Sequence, residues 1–314
     1  MTNKKVVVIG GAGFIGSHLV DYLIAQENEV LVLDNLIAGR KDFINPKAKF
    51  MWCDITQSEH TIYKIFKGYD YVANYAAEPY MPCSYERPLH VFDINARAAL
   101  MVMNAAQEAG VKRILQVSSA EIYGRCDGSI TEEDHAKPHS TYGAAKLAID
   151  AIVQTRWKEA LTPAIALRQF NCLGERDVLH PYVVPEIYRQ AKKGNMIKLG
   201  NNTFRDFIYV GDAVRIAVEL LEKGQCGDVY NLGAEDGIQI YGLAQMIGRL
   251  LGWQELFIEV DPARVRKWEI WSLKSDSTKI YNAVGDESRP RVSLEEAVKR
   301  TIQYYEENPD KWAY

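Results

Sequence analysis

Gly10, Gly13 and Gly16 stand three apart, directly between an apolar run, Lys5-Val-Val-Val-Ile9, and a segment with helical apolar spacing that begins at Ser17. No other feature limits the fold as much. A short run rich in β-branched residues reads as a buried parallel strand. The first glycine permits a tight turn, the second lets backbone approach a pyrophosphate, and the third allows the helix to pack closely. A second strand, Glu29-Val-Leu-Val-Leu33, ends at Asp34. That acid lies about twenty residues past the glycines, where a carboxylate binds adenosine ribose hydroxyls. It would repel a 2′-phosphate, so NAD is expected rather than NADP.

Strand-like runs continue at 49–52, 69–73, 113–118 and 164–168, with helical spacing over 91–108 and 142–159. Alternation of this kind predicts an α/β fold built on a doubly wound parallel (Rossmann) sheet. The sheet is expected over residues 1–170, with segments near 206–232 returning to it. Residues 171–314 are expected to form mainly a smaller, discontinuous substrate-binding lobe. There, 171–206, 233–241 and 261–275 read as irregular, while 213–222, 241–251 and 294–306 read as helices. Asp54-Ile55 and Asn74-Tyr-Ala-Ala77 follow the third and fourth strands, at the carboxyl ends where such sheets bind ligands. The helices at 91–108 and 142–159 carry apolar residues on more than one face, which points to core packing and a homodimer interface.

Composition narrows the function classes. A chain of 314 residues with 47% hydrophobic and 25% charged content suits a globular protein with a large core. Its net charge of −4 gives no footprint for nucleic acid or an anionic membrane. No apolar run approaches ~20 residues, and the first strand begins at once, so a cytoplasmic protein is expected. Five cysteines (53, 83, 126, 172 and 226) lack CxxC spacing, and the six histidines form no ligand cluster. Reduced thiols and no metal site are expected.

Tyr142 and Lys146 stand four apart in Ser140-Thr-Tyr-Gly-Ala-Ala-Lys146. Four residues is one helical turn, so both side chains leave one helix face. An ammonium beside a phenol favours the phenolate and lowers its pKa from near ~10 toward that of a useful general base.

These features come in order with Ser118-Ser-Ala-Glu-Ile-Tyr-Gly124, Arg168-Gln-Phe-Asn171, Arg205-Asp-Phe-Ile-Tyr-Val210 and Arg266-Lys-Trp-Glu269. Together they resemble the extended short-chain dehydrogenase/reductases, in particular the nucleotide-sugar epimerases, dehydratases and decarboxylases. The resemblance implies that Tyr142 takes the proton from a sugar hydroxyl, that Lys146 tunes it and holds the nicotinamide ribose, and that Ser119 bonds the same hydroxyl. Hydride would pass from C4 of the sugar to NAD. The cofactor would lie against Gly10, Gly13, Phe14, Ile15, Gly16, Asp34, Asn35, Asp54, Ile55, Ala76, Ala77 and Asn95. By the same resemblance a nucleotide-diphosphate sugar would meet Glu78, Cys83, Asn171, Arg205, Arg266 and Glu269, the two arginines taking the diphosphate.

Glu121 chooses among the chemistries. By that resemblance epimerases usually carry a small residue there, whereas a carboxylate is found in the uronate decarboxylases and in the 4,6-dehydratases, where it removes the C5 proton. A buried, idle glutamate would be costly. Many dehydratases place aspartate just before it as an acid for the departing C6 hydroxyl, and here that residue is Ala120. The expected activity is an NDP-hexose 4,6-dehydratase. The alternatives are a 4-epimerase, a 4-dehydrogenase and, in a different class, a non-catalytic dinucleotide-sensing protein.

Overall fold

The N-terminal apolar run forms β1 (Lys5–Ile9), and its side chains alternate between two helical layers. Val6 and Val8 enter one core with Leu19, Leu23, Val214 and Leu221, while Val7 and Ile9 enter another with Val102, Ala105, Ile149 and Val153. The first core is covered by α1 (Phe14–Ala25) and the second by α2 (Ala98–Glu108) and α3 (Thr141–Ala160). A strand apolar on both faces has to be covered on both faces, which is why this sheet is parallel and central. The computed structural model describes residues 1–311 except Ser58, Cys126, Asp127 and Lys267. The expected thiol at Cys126 therefore lies outside the described residues.

Six further strands join β1: β2 (Glu29–Asp34), β3 (Lys49–Trp52), β4 (Tyr71–Asn74), β5 (Arg113–Ser119), β6 (Ala164–Gln169) and β7 (Val229–Leu232). Their order is β7-β6-β5-β4-β1-β2-β3, and every pairing is parallel. The winding reverses between β1 and β4. Chains leaving those two strands diverge to opposite faces and open a crevice above their carboxyl ends.

The segments expected to be irregular are ordered into a second sheet. Phe204–Tyr209 is its organising strand and pairs with Asn171–Leu173, Gly237–Gln239 and Ser272–Ser275, the last of which also pairs Ser129–Ile130. Met196–Leu199 and Phe257–Val260 form a separate pair. Strands this short hold too few residues for an alternating pattern to show. The lobe has its own core around Leu173, Val184, Ile187, Phe207, Leu243, Ile247 and Val298. Of the returning segments, α4 (Val210–Lys223) packs on the main sheet and β7 extends it, whereas Phe204–Tyr209 belongs to the lobe. Helix Thr278–Val284 also returns, placing Ile280, Tyr281 and Val284 in the core shared with α1.

The single helix expected over 91–108 is interrupted. Pro88–Phe92 passes through a π-helical turn at Asp93–Arg97 before α2 begins. Such turns absorb an extra residue and are frequent at functional sites. Val91, Ala98, Val102 and Ala105 are consumed by the chain's own core. Among the described residues no helix is long and apolar enough to cross a membrane.

Beneath the crevice, α3 is fastened to the sheet by a buried ion pair. Arg168 Nε donates to Asp150 Oδ2 at 2.8 Å, and its Nη1 reaches the Tyr123 hydroxyl at 2.7 Å and the Glu132 carbonyl at 3.1 Å. Tyr123 donates in turn to Asn231 Oδ1 on β7 at 2.6 Å. Removing the cation alone strands a buried carboxylate. Arg168→Met is expected to cost roughly 3–5 kcal/mol of stability, read as a lowered midpoint in urea. A midpoint unchanged from the parent would show that this network holds nothing together.

Candidate active site

The glycine turn is shaped by what lies against it. Gly10 has φ +76°, and a Cβ there would sit 2.7 Å from the Ala76 backbone nitrogen, in the chain leaving β4. A Cβ at Gly16 would collide with the Gly10 carbonyl. These two positions lock β1, α1 and the β4 exit together, so only glycine fits. Gly13 is the N-cap of α1 and supplies no side-chain cap, and the first turn holds no acid. The uncapped first turn, Gly13 to Gly16, lines the crevice, an arrangement suited to a phosphate.

Asp34 closes this end. Its carboxylate, 8% exposed, accepts from Ala12 N at 3.0 Å and Leu36 N at 2.8 Å, each oxygen keeping a further lone pair for a hydroxyl. Burial raises its pKa, and those two backbone bonds oppose the rise. Phe14, Ile15, Asn35, Asp54, Ile55, Ala76 and Ala77 line the same cleft, whose volume is about 1260 Å³. That exceeds the usual ~300–1,000 Å³ of a single small-molecule pocket, leaving room for two ligands side by side. Asn95 does not reach the cleft wall. It is buried in the π turn, where its amide donates to the Glu78 and Val91 carbonyls at 3.2 and 2.9 Å, fixing the loop from behind.

Helix α3 begins under the centre of the cleft. Ser140 Oγ accepts from Gly143 N at 3.0 Å and Ser84 Oγ from Tyr142 N at 2.9 Å, two of the orphan donors of the first turn. The phenol of Tyr142 is hydrogen-bonded to Ser119. Lys146 lies one turn on and is only 2% exposed. Its ammonium sits 5.7 Å from the Tyr142 ring centroid and donates to the Val117 carbonyl at 2.8 Å.

The expectation that Lys146 depresses the phenol is therefore corrected. Burial pushes Tyr142 up to about 12, the Ser119 bond pulls it down, and the Glu121 charge raises it further. Burial pushes Lys146 down to about 7 against the opposing pull of Asp150. Desolvation outweighs the pairing because the cation is turned toward a carbonyl rather than the phenol oxygen.

Glu121 occupies the 3₁₀ turn Ala120–Ile122 after β5, and its amide donates to Ser119 Oγ at 3.2 Å. It is half-buried rather than buried and lines the cleft, where its charge acts on both Tyr142 and Arg205. Ala120, 3% exposed, packs among Ile122, Tyr123, Phe170 and Leu273.

At the lobe end, Glu78, Asn171, Arg205, Arg266 and Glu269 all line the cleft. Arg205 is 7% exposed and pairs loosely with Glu269 at 3.5 Å, while Asn201 donates to the other Glu269 oxygen at 3.3 Å. Burial lowers the Arg205 pKa, Glu121 and Glu269 opposing it. Cys83 is not in the wall; its thiol accepts from Arg87 Nη2 at 3.2 Å.

Several cleft residues escaped sequence reading. Tyr75, Gln169 and Asp177 each present buried polar atoms with no hydrogen-bond partner among the described residues. His180 stacks on Tyr80 at 5.5 Å and leans on Tyr182 at 5.3 Å, making an aromatic rim. Tyr75 and Gln169 lie within Asn74-Tyr-Ala-Ala77 and Arg168-Gln-Phe-Asn171, yet nothing in those runs marks either as buried and unpaired. An aromatic cluster in 75–85 facing one in 180–182 becomes visible only once the chain is folded.

Comparison with known proteins agrees with this geometry. Residues 6–233 match the model of the NAD dependent epimerase/dehydratase family, and the chain belongs to that family. It is 30% identical to the human dTDP-D-glucose 4,6-dehydratase over 98% of this chain and 92% of that one. It is also 31% identical to the UDP-glucose 4-epimerase of Lactobacillus helveticus, covering 90% of this chain and 91% of the relative. DesIV, a dTDP-glucose 4,6-dehydratase from Streptomyces venezuelae solved with NAD bound, superposes with a TM-score of 0.89 at 27% identity, covering 98% of each chain. The protein is an NAD-dependent enzyme of the nucleotide-sugar dehydratase/epimerase class, and its glycine turn, uncapped helix and Asp34 fit that cofactor.

Asp177 gives this cleft a pH signature. Burial raises its carboxyl from 3.8 to about 8. The folded chain keeps that proton where the unfolded chain has lost it, so the contribution of Asp177 to stability falls as pH rises from about 4 to about 8. Relative to the parent, Asp177→Asn should gain melting temperature steadily across that window. A gap between the two that stays constant with pH would contradict the shift.

Proposed function

We propose that the enzyme is an NDP-hexose 4,6-dehydratase, giving an NDP-4-keto-6-deoxy sugar and water. The observation that carries this reading is Glu121, a carboxylate beside Ser119 whose charge reaches the Tyr142 phenol and the Arg205 guanidinium across one cleft. The glycine turn, the α1 N-terminus and Asp34 would hold NAD, which when bound would supply the hydride acceptor for C4 of the sugar and the hydride donor for C6.

Tyr142 takes the C4 hydroxyl proton, with Ser119 orienting the hydroxyl. Lys146, poised near neutrality by its burial, stands one helical turn along beside the phenol ring. The 4-ketone acidifies C5, and Glu121 removes that proton. Ala120 can donate nothing, so the proton that Glu121 has gained passes to the C6 oxygen, which departs as water. Atoms balance: the C5 proton and the C6 hydroxyl leave as water, hydride enters C6, and C5 takes a solvent proton by way of Glu121 while Tyr142 gives up to solvent the proton it took from the C4 hydroxyl. Arg205 and Arg266 hold the diphosphate, with Asn171 and Glu78 beside the sugar and Glu269 releasing Arg205 to the phosphates.

A 4-epimerase is the second reading. It is favoured by the apolar packing of Ala120, which leaves no dedicated acid at that position, and by the epimerase among the relatives. UDP-, dTDP-, GDP- and CDP-hexoses turned over in deuterated water separate the two. Loss of one water with solvent deuterium at C5 supports elimination. Unchanged mass with inverted C4 means epimerisation, and loss of two hydrogens means a 4-dehydrogenase. Glu121→Gln should lower turnover by a factor of roughly 10²–10⁴ while sugar-nucleotide binding persists. Full activity in that variant would remove the reading.

A further inference from the structure

Gln169 is the last residue of β6, in register with Ser119 on β5 and Leu232 on β7. Partners in a parallel ladder project to one face, so its side chain leaves the sheet beside the serine that bonds Tyr142. It is 8% exposed, and neither Oε1 nor Nε2 has a partner among the described residues. Buried amides are almost always paired, and an unpaired one in a cleft wall points to a ligand.

It does not stand alone. The Tyr75 hydroxyl, just past β4, is buried without a partner. Asp177, 2% exposed, leaves Oδ1 unpaired, and all three residues line the cleft. Cys172 lies near two of them, its thiol within electrostatic reach of both Tyr75 and Asp177. Three separate chain segments thus bring unpaired polar atoms to one wall.

Position in the sheet says what they await. Asp34 ends β2 and Gln169 ends β6, with β1, β4 and β5 between them. Four strand spacings are about 19 Å, comparable to the length of an extended dinucleotide. With the adenosine ribose at Asp34, the far end of NAD falls at β5 and β6, next to Ser119 and Tyr142. The group exposed at that end is a primary carboxamide, with one acceptor oxygen and two N–H donors. Gln169 offers a matching acceptor and donor, the phenol of Tyr75 offers either, and Asp177 offers an acceptor oxygen.

We infer that Gln169, in a cleft it lines together with Tyr75 and Asp177, receives the carboxamide of the nicotinamide ring and thereby fixes which face of the ring meets the sugar. Gln169 is a positioning residue in this role. The assignment needs NAD binding but not the elimination proposed above, so it stands or falls separately from the choice between dehydratase and epimerase.

The test is equilibrium binding to protein stripped of dinucleotide, using NAD and its acetylpyridine analogue, whose methyl ketone cannot donate. The parent should prefer NAD. Gln169→Met should weaken NAD about tenfold or more and the analogue much less, so that the preference collapses. Without dinucleotide its melting temperature should stay level or rise, because an unpaired amide gives way to an apolar chain of similar size. A lowered melting temperature with both dinucleotides weakened alike would assign Gln169 to the fold instead. Unchanged NAD affinity with weakened sugar-nucleotide binding would assign the wall to the sugar, and either result overturns the inference.

Discussion

A lysine side chain all but closed off from solvent, Lys146, is what the centre of this molecule is built around. Placing an ammonium there is costly unless something compensates. The Val117 carbonyl gives it one hydrogen bond and Asp150 a favourable field, and Asp150 is itself anchored by Arg168. Ser118 Oγ donates to the Lys146 carbonyl at 3.1 Å, tying the same helical turn to β5. Two serines, Ser140 and Ser84, fix the first turn. Tyr142 is consequently delivered to Ser119 by a helix end that has little freedom to shift.

The same sheet that supports this helix places the remaining parts. Because the winding reverses between β1 and β4, the glycine turn and the exit of β4 meet closely, with no room for a side chain at Gly10. The lobe rises from chain leaving β6 and β7 and brings Arg205 and Glu269 over the cleft from the opposite side. Polar chemistry is thus confined to one crevice walled by two independent cores, which keeps water away from the buried amine and phenol. Glu121 stands where the two halves meet, its charge felt by a sheet residue's partner and by a lobe residue alike.

Sequence carried the local chemistry well and the long-range chemistry poorly. Gly10, Gly13, Gly16 and Asp34 were legible because a strand, a turn and a helix in immediate succession fix their geometry. Tyr142 and Lys146 were legible as neighbours on one helical turn, but not the direction of the ammonium, which depends on a carbonyl twenty-nine residues upstream. The second sheet was hidden because its organising strand, Phe204–Tyr209, draws partners from residues 171 to 275. The π turn at Asp93–Arg97 interrupts an apolar spacing that reads as one unbroken helix. Cys83 and Asn95 sit in the expected segments, yet their side chains are taken up by Arg87 and by the Glu78 and Val91 carbonyls. Gln169 and Asp177 went unnoticed because a polar residue becomes informative only when it is known to be buried and unpaired.

The most direct test of the account is a single turnover on NAD-loaded protein in which Tyr142 is replaced by phenylalanine, following reduction of the nicotinamide by its absorbance. The variant keeps the ring, its packing and the neighbouring lysine, and loses one oxygen. Binding of NAD and sugar nucleotide should persist while nicotinamide reduction slows by a factor of roughly 10²–10⁴. Reduction at the parent rate would show that the phenol held by Ser119 is not the group that takes the sugar's proton.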